Sequence, residues 1–571
     1  MRLWKRTVYE IDPEDIFLDS TNLPGHNASQ FEGRLGRPVS GRAIFSVGLV
    51  FLLVIAGYSS RAYVLQVAHG ATYADISVNN TLDRSVVFAT RGIIYDRNGV
   101  ELAWNSPQPA ATSSIDATTT QPSLYALRDY IQEPGFAHLL GFVRYPKADS
   151  SGQWWQSAYT GVGGIEQEYD AQLSGTNGAI LTETNAHEVV QETNIISPPT
   201  DGANITLSVD ANLQAELYKV LVAHAQEQGF RAGAGVIMDV RTGQVLAITS
   251  FPEYSNQGFT DGDAAAINAA NQDPLTPMVD RAISGLYSPG SIVKTIFAAG
   301  ALDEGIISPT KEIDSVGRIT VPNPYDPSKP TYFKDWAVHG WIDMETAIAV
   351  SSDEYFYTIG GGYEGQAGLG IAGLDKYADM FGLASTTGID LPGEDSGVIP
   401  SPAWKAVNFP KDPQWQLGDT YHTAIGGYGF LITPIEAVRY AAAIANGGKL
   451  FVPHLLASTT PSFSTINIPD SDFAIVRAGM RLAVTSTRSD ATVPQLNIPG
   501  IDIAAKTGTA QIGTHNQYVN SWSIGFWPAD NPKYAYAVVL EQGPSTETAG
   551  VAVGMAPFFQ WLVASEPQYV N

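Results

Sequence analysis

The clearest period-two pattern lies near the C-terminus. Trp522, Ile524 and Phe526 alternate with small or polar residues in NSWSIGFWPA (520–529), and Tyr534, Tyr536, Val538 and Leu540 do the same in KYAYAVVLEQ (533–542). The spacing predicts two β-strands joined by an Asp530–Asn531–Pro532 turn. AGVIMDVRTGQVLAITS (234–250) has two apolar runs around Arg-Thr-Gly and predicts a hairpin. A helical period takes over in DANLQAELYKVLVAHAQEQG (210–229), with Asp210 as its N-terminal cap and Gly229 at its C-terminal end. A closing helix is expected over 549–565. Strands from both ends of this stretch therefore build one sheet, and a mostly helical insertion fills about 265 to 490. Upstream, RSVVFATRGIIYDRNGVELAWN (84–105) predicts two short strands around an Asp-Arg-Asn-Gly turn. GVGGIEQEYDAQLSGTNG (161–178) predicts a short helix bracketed by glycines. The whole of 85–200 is rich in Thr, Ser, Gly and Asn and reads as an extended platform; no internal repeat is present.

One run is apolar on every face. AIFSVGLVFLLVIAGY (43–58) carries no charge, and its sixteen residues span roughly 24 Å as a helix. Adding Ser59 and Ser60 brings it close to the thickness of a bilayer core. A buried helix would show a polar side. A cleaved signal peptide would start nearer the N-terminus and end on a small-x-small site. An uncleaved single-span anchor over 43–60 fits best. Arg34, Arg37 and Arg42 precede the span and Arg61 alone follows closely, so the N-terminal tail is expected in the cytoplasm and the rest of the chain outside. The acidic stretch YEIDPEDIFLD (9–19) could bind a cytoplasmic partner, but such charge runs are usually solvated tails.

Composition narrows the chemistry. The chain has 571 residues and a formal net charge of −25, so it has material for more than one domain. Its acidity argues against nucleic acid as a partner. It has no cysteine, which removes disulfides and thiolate chemistry. The nine histidines show no HExxH-like spacing, so no metal is expected. No Walker or GxGxxG pattern sits between a strand and a helix, and no cofactor is expected.

Three short motifs remain. YSPGSIVKT (287–295) places Ser291 and Lys294 three apart at the start of an apolar helix running to Gly305. Residues three apart share a helix face, so the lysine amine can reach the hydroxyl. The N–H groups of the helix start can hold an oxyanion. A serine needs its proton removed to attack, and lysine does that only when desolvation or a nearby cation makes it neutral. Lys506 of KTGT (506–509), on a predicted strand, can supply that cation, and Gly508 there permits close approach of a substrate backbone. Between them SSD (351–353) offers Ser351 as a proton relay. Ser308 and Lys311 repeat the spacing but sit in a polar, proline-containing stretch that reads as a loop. A helix start, a cap and a strand glycine explain each motif separately. The ordered trio matches the Ser-x-x-Lys, Ser-x-Asn-like and Lys-Thr-Gly set of penicillin-recognising enzymes.

With these motifs the chain resembles the class B penicillin-binding proteins, the monofunctional peptidoglycan transpeptidases. RGIIYDRNGVELAWN and GVGGIEQEYDAQLSG resemble their platform signatures, and YSPGSIVKT, SSDEYFY, AAKTGTAQ and SWSIGFWPADNPKYAYAVVLE their transpeptidase core. WAVHGWIDMETAIAVSSDEYFY, TGIDLPGEDSGVIPSPAWK and WQLGDTYHTAIG look closest to the elongation type, penicillin-binding protein 2, with the division type as the alternative. The resemblance implies an α+β penicilloyl-serine-transferase fold, an antiparallel sheet flanked by helices. It implies a tail (1–42), a membrane helix (43–60), a β-rich platform of the dimerisation type (61–201) and a transpeptidase domain (202–571).

It also implies roles. Ser291 would attack the D-Ala-D-Ala end of a stem peptide, with Lys294 as base and Ser351 carrying the proton to the leaving amine. Lys506 would supply positive potential. Thr507 and Thr509 would hold the terminal carboxylate, and the N–H groups of Ser291 and Thr509 the oxyanion. β-Lactam antibiotics would acylate Ser291. Implied partners are a SEDS-type glycosyltransferase and other elongation-complex proteins. Two departures stand out. Asp353 replaces the usual Asn and could pair with Lys294, and AIGGYGFLITP (424–434) has Gly-Gly-Tyr-Gly where Gly-Gln-Gly is typical. A β-lactamase would need neither platform nor anchor. A β-lactam-sensing receptor would need a signalling domain in the tail. A scaffold without activity would be free to lose the three motifs.

Overall fold

The long apolar run begins on a cap: the Ser40 hydroxyl accepts from the Ala43 N–H at 3.2 Å. A computed structural model describes residues 40–74, 82–107, 125–150, 153–184, 190–323, 326–546 and 549–570. Residues 1–39 of the expected tail, with 9–19, Arg34 and Arg37, lie outside the described residues, and its last two, Gly41 and Arg42, already belong to the helix. The chain falls into two units, Met1–Asp83 with Leu181–Thr193, and Arg84–Ile180 with Asn194–Asn571.

In the first unit α1 (Gly41–Tyr63) continues through a π-helical turn, Val64–Ala68. The helix is longer than the 43–60 expected from hydropathy. No Gly or Pro occurs between Tyr58 and Gly70 to stop it. Its 28 residues rise about 42 Å, more than a bilayer core requires. Ile44, Phe45 and Phe51 are 63, 73 and 65% exposed. Among the described residues no protein packs on these side chains within the unit, which is the kind of surface a lipid phase covers.

The second unit opens with a small four-stranded sheet. Its strands are β1 (Ile94–Tyr95), β2 (Glu101–Ser106), β3 (Leu127–Tyr130) and β4 (Ile205–Thr206), in the order β4-β1-β2-β3. Asp96 makes the turn between β1 and β2, accepting from the N–H groups of Asn98 and Val100 at 2.7 and 2.8 Å. Beneath it Arg91, Arg128 and Glu166 are fully buried. Glu166 takes Arg91 Nε at 2.6 Å and Arg128 Nε at 2.7 Å, and Asp170 takes Arg91 Nη1 at 2.8 Å. The glycine-bracketed helix is two short turns, Gly164–Glu168 and Asp170–Leu173, and these supply both acids.

The larger sheet has five strands. They are β5 (Ala232–Asp239), β6 (Val245–Phe251), β7 (Ala504–Ile512), β8 (Tyr518–Trp527) and β9 (Tyr534–Pro544), in the order β6-β5-β9-β8-β7. The expected hairpin is β5–β6, and the expected C-terminal pair is β8–β9, with Ile524 opposite Ala537. The two alternating sets face opposite ways. Trp522, Ile524 and Phe526 pack into a core shared with the insertion. Tyr534, Tyr536, Val538 and Leu540 pack with α2 (Ala211–Gln228), through Leu213, Leu217 and Leu221. Asp210 caps α2 and Gly229 ends it in the left-handed region at φ 78°, as its sequence predicts.

The insertion supplies α3 (Lys294–Asp303), α4 (Met344–Val350), α5 (Asp353–Gly361), α6 (Pro402–Asn408), α7 (Leu417–Ala424) and α8 (Pro434–Ala445), among other elements. Every residue of α8 is buried. The closing helix, α9 (Val551–Ser565), covers the α2 side of the sheet with Met555, Phe558 and Phe559. Among the described residues the edge strand β7 pairs only with β8, so its other edge is free to face a cleft.

Candidate active site

Pro289 and Gly290 turn the chain into a short 3₁₀ segment, Gly290–Val293, before α3 begins at Lys294. Sequence predicts an α-helix from Ser291. In the tighter 3₁₀ turn residues three apart eclipse each other, so Ser291 and Lys294 still share a face. Ser291 lines an open cleft of about 920 Å³, together with Ser351, Asp353, Thr507 and Thr509.

Close backbone contacts hold this turn. A methyl group on Gly508 would stand 2.5 Å from the Pro289 carbonyl oxygen, and one on Gly290 would stand 3.0 Å from that of Thr509. The close approach that Gly508 permits is therefore that of the serine's own turn; sequence suggested a substrate backbone. Thr509 is exposed and Thr507 half-buried, and both line the cleft.

Lys294 and Lys506 are both fully buried. Lys294 Nζ donates to Asp353 Oδ1 at 2.6 Å and to the Ser351 carbonyl at 2.7 Å, and lies 3.4 Å from Ser351 Oγ. Lys506 Nζ donates to Ser351 Oγ at 2.8 Å and to the Thr507 carbonyl at 2.7 Å. Among the described residues Lys294 makes no hydrogen bond to Ser291. The pairing with Asp353, read from the sequence as an option, is the arrangement present. Burial first, and the neighbouring Lys294 second, push the Lys506 ammonium well below its usual range; Asp353 opposes this.

The middle motif is shaped by a bend. Ser351 ends α4 in the left-handed region, at φ 59°, and α5 starts two residues later with Ser352 as its cap. A non-glycine residue there is strained. The bend lets one serine offer its carbonyl to Lys294 and its hydroxyl to Lys506. Two residues that sequence reasoning missed hold it. Asp335 Oδ2 accepts from Ser352 Oγ at 2.7 Å and from the Glu354 N–H at 2.9 Å. Burial alone would raise the Asp335 carboxyl, but His339, Ser352 and the Glu354 N–H hold it well below the usual carboxylate range. Trp336 donates its indole N–H to the Val350 carbonyl at 3.2 Å, next to Ser351. No local pattern ties Asp335 to Ser352; the only signal was the capping serine itself.

Ser308 and Lys311 do not form a second site. Ser308 Oγ is 3.3 Å from Thr310 Oγ1, and Lys311 Nζ donates to Gln366 at 2.6 Å, all on an exposed loop.

A serine on a buried helix start, two buried lysines and a shared hydroxyl define a serine acyl-transfer site. The chain belongs to the penicillin binding protein transpeptidase domain family, which matches residues 233–558. The penicillin-binding protein dimerisation domain family matches residues 120–207. Among curated relatives, the peptidoglycan D,D-transpeptidase MrdA of Acinetobacter baumannii is 29% identical, over 92% of this chain and 88% of its own. The enzyme of that name from Escherichia coli K12 is also 29% identical, over 89% and 91%. The solved complex of penicillin-binding protein PBP2 with MreC from Helicobacter pylori has a TM-score of 0.68. That likeness has 26% identity and covers 84% of this chain and 99% of that one.

Proposed function

We propose that this chain is a membrane-anchored peptidoglycan D,D-transpeptidase of the elongation type, working through an acyl-serine at Ser291. The observation that carries the reading is the chain Lys294–Ser351–Lys506, whose Ser351 lines the same cleft as Ser291. The stem peptide's terminal carboxylate binds the Thr507 and Thr509 hydroxyls. An anion there favours the charged form of Lys506. Both lysines reach the Ser351 hydroxyl, at 3.4 and 2.8 Å, so a proton passes from Lys294 through Ser351 to Lys506. Neutral Lys294 then takes the proton of Ser291 as its oxygen attacks the penultimate D-Ala carbonyl. The N–H groups of Ser291 and of Thr509, on the free edge of β7, hold the oxyanion. The C–N bond breaks, and the departing D-Ala amine takes its proton through Ser351. An amine of a neighbouring strand attacks the acyl carbon, loses its proton to the same relay and restores Ser291. Gly508 shapes the site by admitting the serine turn.

In the same reading the N-terminus is cytoplasmic and the second unit acts outside the membrane. The Helicobacter pylori relative was solved with MreC. By that likeness an elongation-complex protein binds here too, and a SEDS-type glycosyltransferase supplies the glycan. The test is covalent labelling of the full-length protein with fluorescent penicillin, beside Ser291→Ala. A label that persists for hours and is absent from the variant is expected. Rapid loss of label with drug turnover identifies a β-lactamase instead, and no label on the wild type contradicts the mechanism.

A further inference from the structure

The Gly-Gly-Tyr-Gly loop that departs from the family pattern sits against the nucleophile. Gly426 O accepts from the Gly290 N–H at 3.1 Å and from Ser288 Oγ at 2.8 Å. A methyl group on Gly426 would stand 2.1 Å from the Gly290 carbonyl oxygen. The 3₁₀ turn carrying Ser291 therefore rests on two backbones, β7 on one side and this loop on the other. Gly426 and Gly427 also line the cleft.

Two residues further on, Tyr428 holds φ 60° between Gly427 and Gly429. Glycine adopts that conformation freely and a tyrosine does not. The strained residue is held from the side away from the cleft. Its ring lies 5.9 Å from Phe409, stacked, and 6.0 and 5.6 Å from Trp404 and Trp415, edge-on. Lys405 Nζ lies 5.6 Å from its centroid and is ion-paired to Asp419 at 2.6 Å. The charges of that pair lie beside the Tyr428 ring, whose phenol burial pushes above its usual value. Pro402 at the start of α6 and the reciprocal cap between Gln416 and Asp419 on α7 fix the two elements that supply these groups.

We infer that Tyr428 is a positioning residue: its ring clamps the Gly426–Gly429 loop to the α6–α7 segment, and the clamped loop sets the Gly290–Ser291 turn for acylation. Tyr428, Trp404, Phe409 and Trp415 are not among the residues lining the cleft, so the clamp acts on the chemical step and leaves initial binding alone. The inference rests on Ser291 being the acylated residue.

The test measures penicillin acylation of the full-length chain by stopped flow, separating the binding constant from the first-order acylation rate, together with thermal unfolding. Tyr428→Gly keeps the backbone conformation and removes the clamp. Its acylation rate is expected to fall about tenfold, with binding within twofold and the melting temperature little changed. Tyr428→Phe keeps the ring contacts and is expected to recover to within about threefold of wild type. A Gly variant that acylates at the wild-type rate overturns the inference. So does a loss in which acylation, binding and melting temperature fall together in Gly and Phe alike, which is ordinary damage to packing. A wild type that takes no penicillin at all overturns the functional reading and this inference with it, so the two failures are distinct.

Discussion

Two buried ionic clusters in the second unit differ in one count. Beneath the small sheet, Arg91 and Arg128 face Glu166 and Asp170, two cations and two anions. At the cleft, among the described residues, Lys294 and Lys506 have one ion-paired carboxylate between them, Asp353; Asp335 feels the charge of Lys294 without pairing with it. The first cluster is neutralised. Despite burial, Arg91 is held above its usual value by Glu166 and Asp170, and Glu166 below its own by Arg128 and Arg91. The second is one anion short, and Lys506 is pushed toward its neutral form. A buried charge must be paired or lose its proton. Guanidinium groups cannot lose theirs, whereas amines can. The arginine cluster is therefore a fastening, and the lysine cluster, in the proposed reaction, is a proton-transfer device.

The largest effect should come from breaking the fastening. Glu166→Gln leaves the buried Arg128 without an anion and Arg91 with Asp170 alone, and should cost about 3–5 kcal/mol of stability, read as a drop in the denaturation midpoint. Breaking the device should do the opposite. Lys506→Met removes a buried amine, so the melting temperature should hold or rise, while penicillin acylation falls about 10²–10⁴-fold. A Lys506→Met protein that unfolds as readily as Glu166→Gln would erase the distinction. A smaller effect is expected at the lone anion. Asp353→Asn keeps the size of the side chain and leaves Lys294 its Ser351 carbonyl partner, so acylation should stay within about tenfold; complete loss of labelling contradicts this.

The smallest effect concerns the support of the middle motif. His339 Nδ1 lies 2.8 Å from Asp490 Oδ2, which also takes Arg488 Nη2 at 2.8 Å. Burial works to lower His339, but Asp335 and Asp490 hold it above its usual value. Its contribution to stability is full below the unfolded value of about 6.5 and is lost as pH rises through the raised folded value. Asp490 is lowered to about 2 by Arg488, with His339 adding to the effect against burial. Its contribution is full above the unfolded value of about 3.9 and is lost as pH falls through about 2. Thermal unfolding should be highest between about pH 4 and 6.5, and His339→Gln should remove the alkaline decline, a change of about 1 kcal/mol.

The same contrast explains what was legible. Ser291, Lys294, Ser351 and Lys506 announce themselves because each sits in a short motif whose spacing means something locally. The alternating Trp522–Phe526 and Tyr534–Leu540 sets locate the sheet for the same reason, since period two is a local signal. Their opposite faces were not legible, because both sides of the sheet are buried and only the register between β8 and β9 separates them. Arg91, Arg128 and Glu166 come from three separate segments, and Asp335 reaches Ser352 across an intervening strand and helix. Such pairings exist only once the chain has folded. The extension of α1 to Ala68 escaped because hydropathy marks where a helix meets lipid, not where it ends. Tyr428 showed as a departure in the motif, but its clamp needed Trp404, Phe409 and Trp415 in place.

The pH dependence of penicillin acylation, measured on the full-length wild type, tests the missing anion most directly. If one buried amine is neutral because two lysines share one carboxylate, the rate should level off at a pH far below the lysine value of about 10.4. A rate that keeps climbing tenfold per pH unit up to about 10 would mean both lysines stay charged, and would contradict the account.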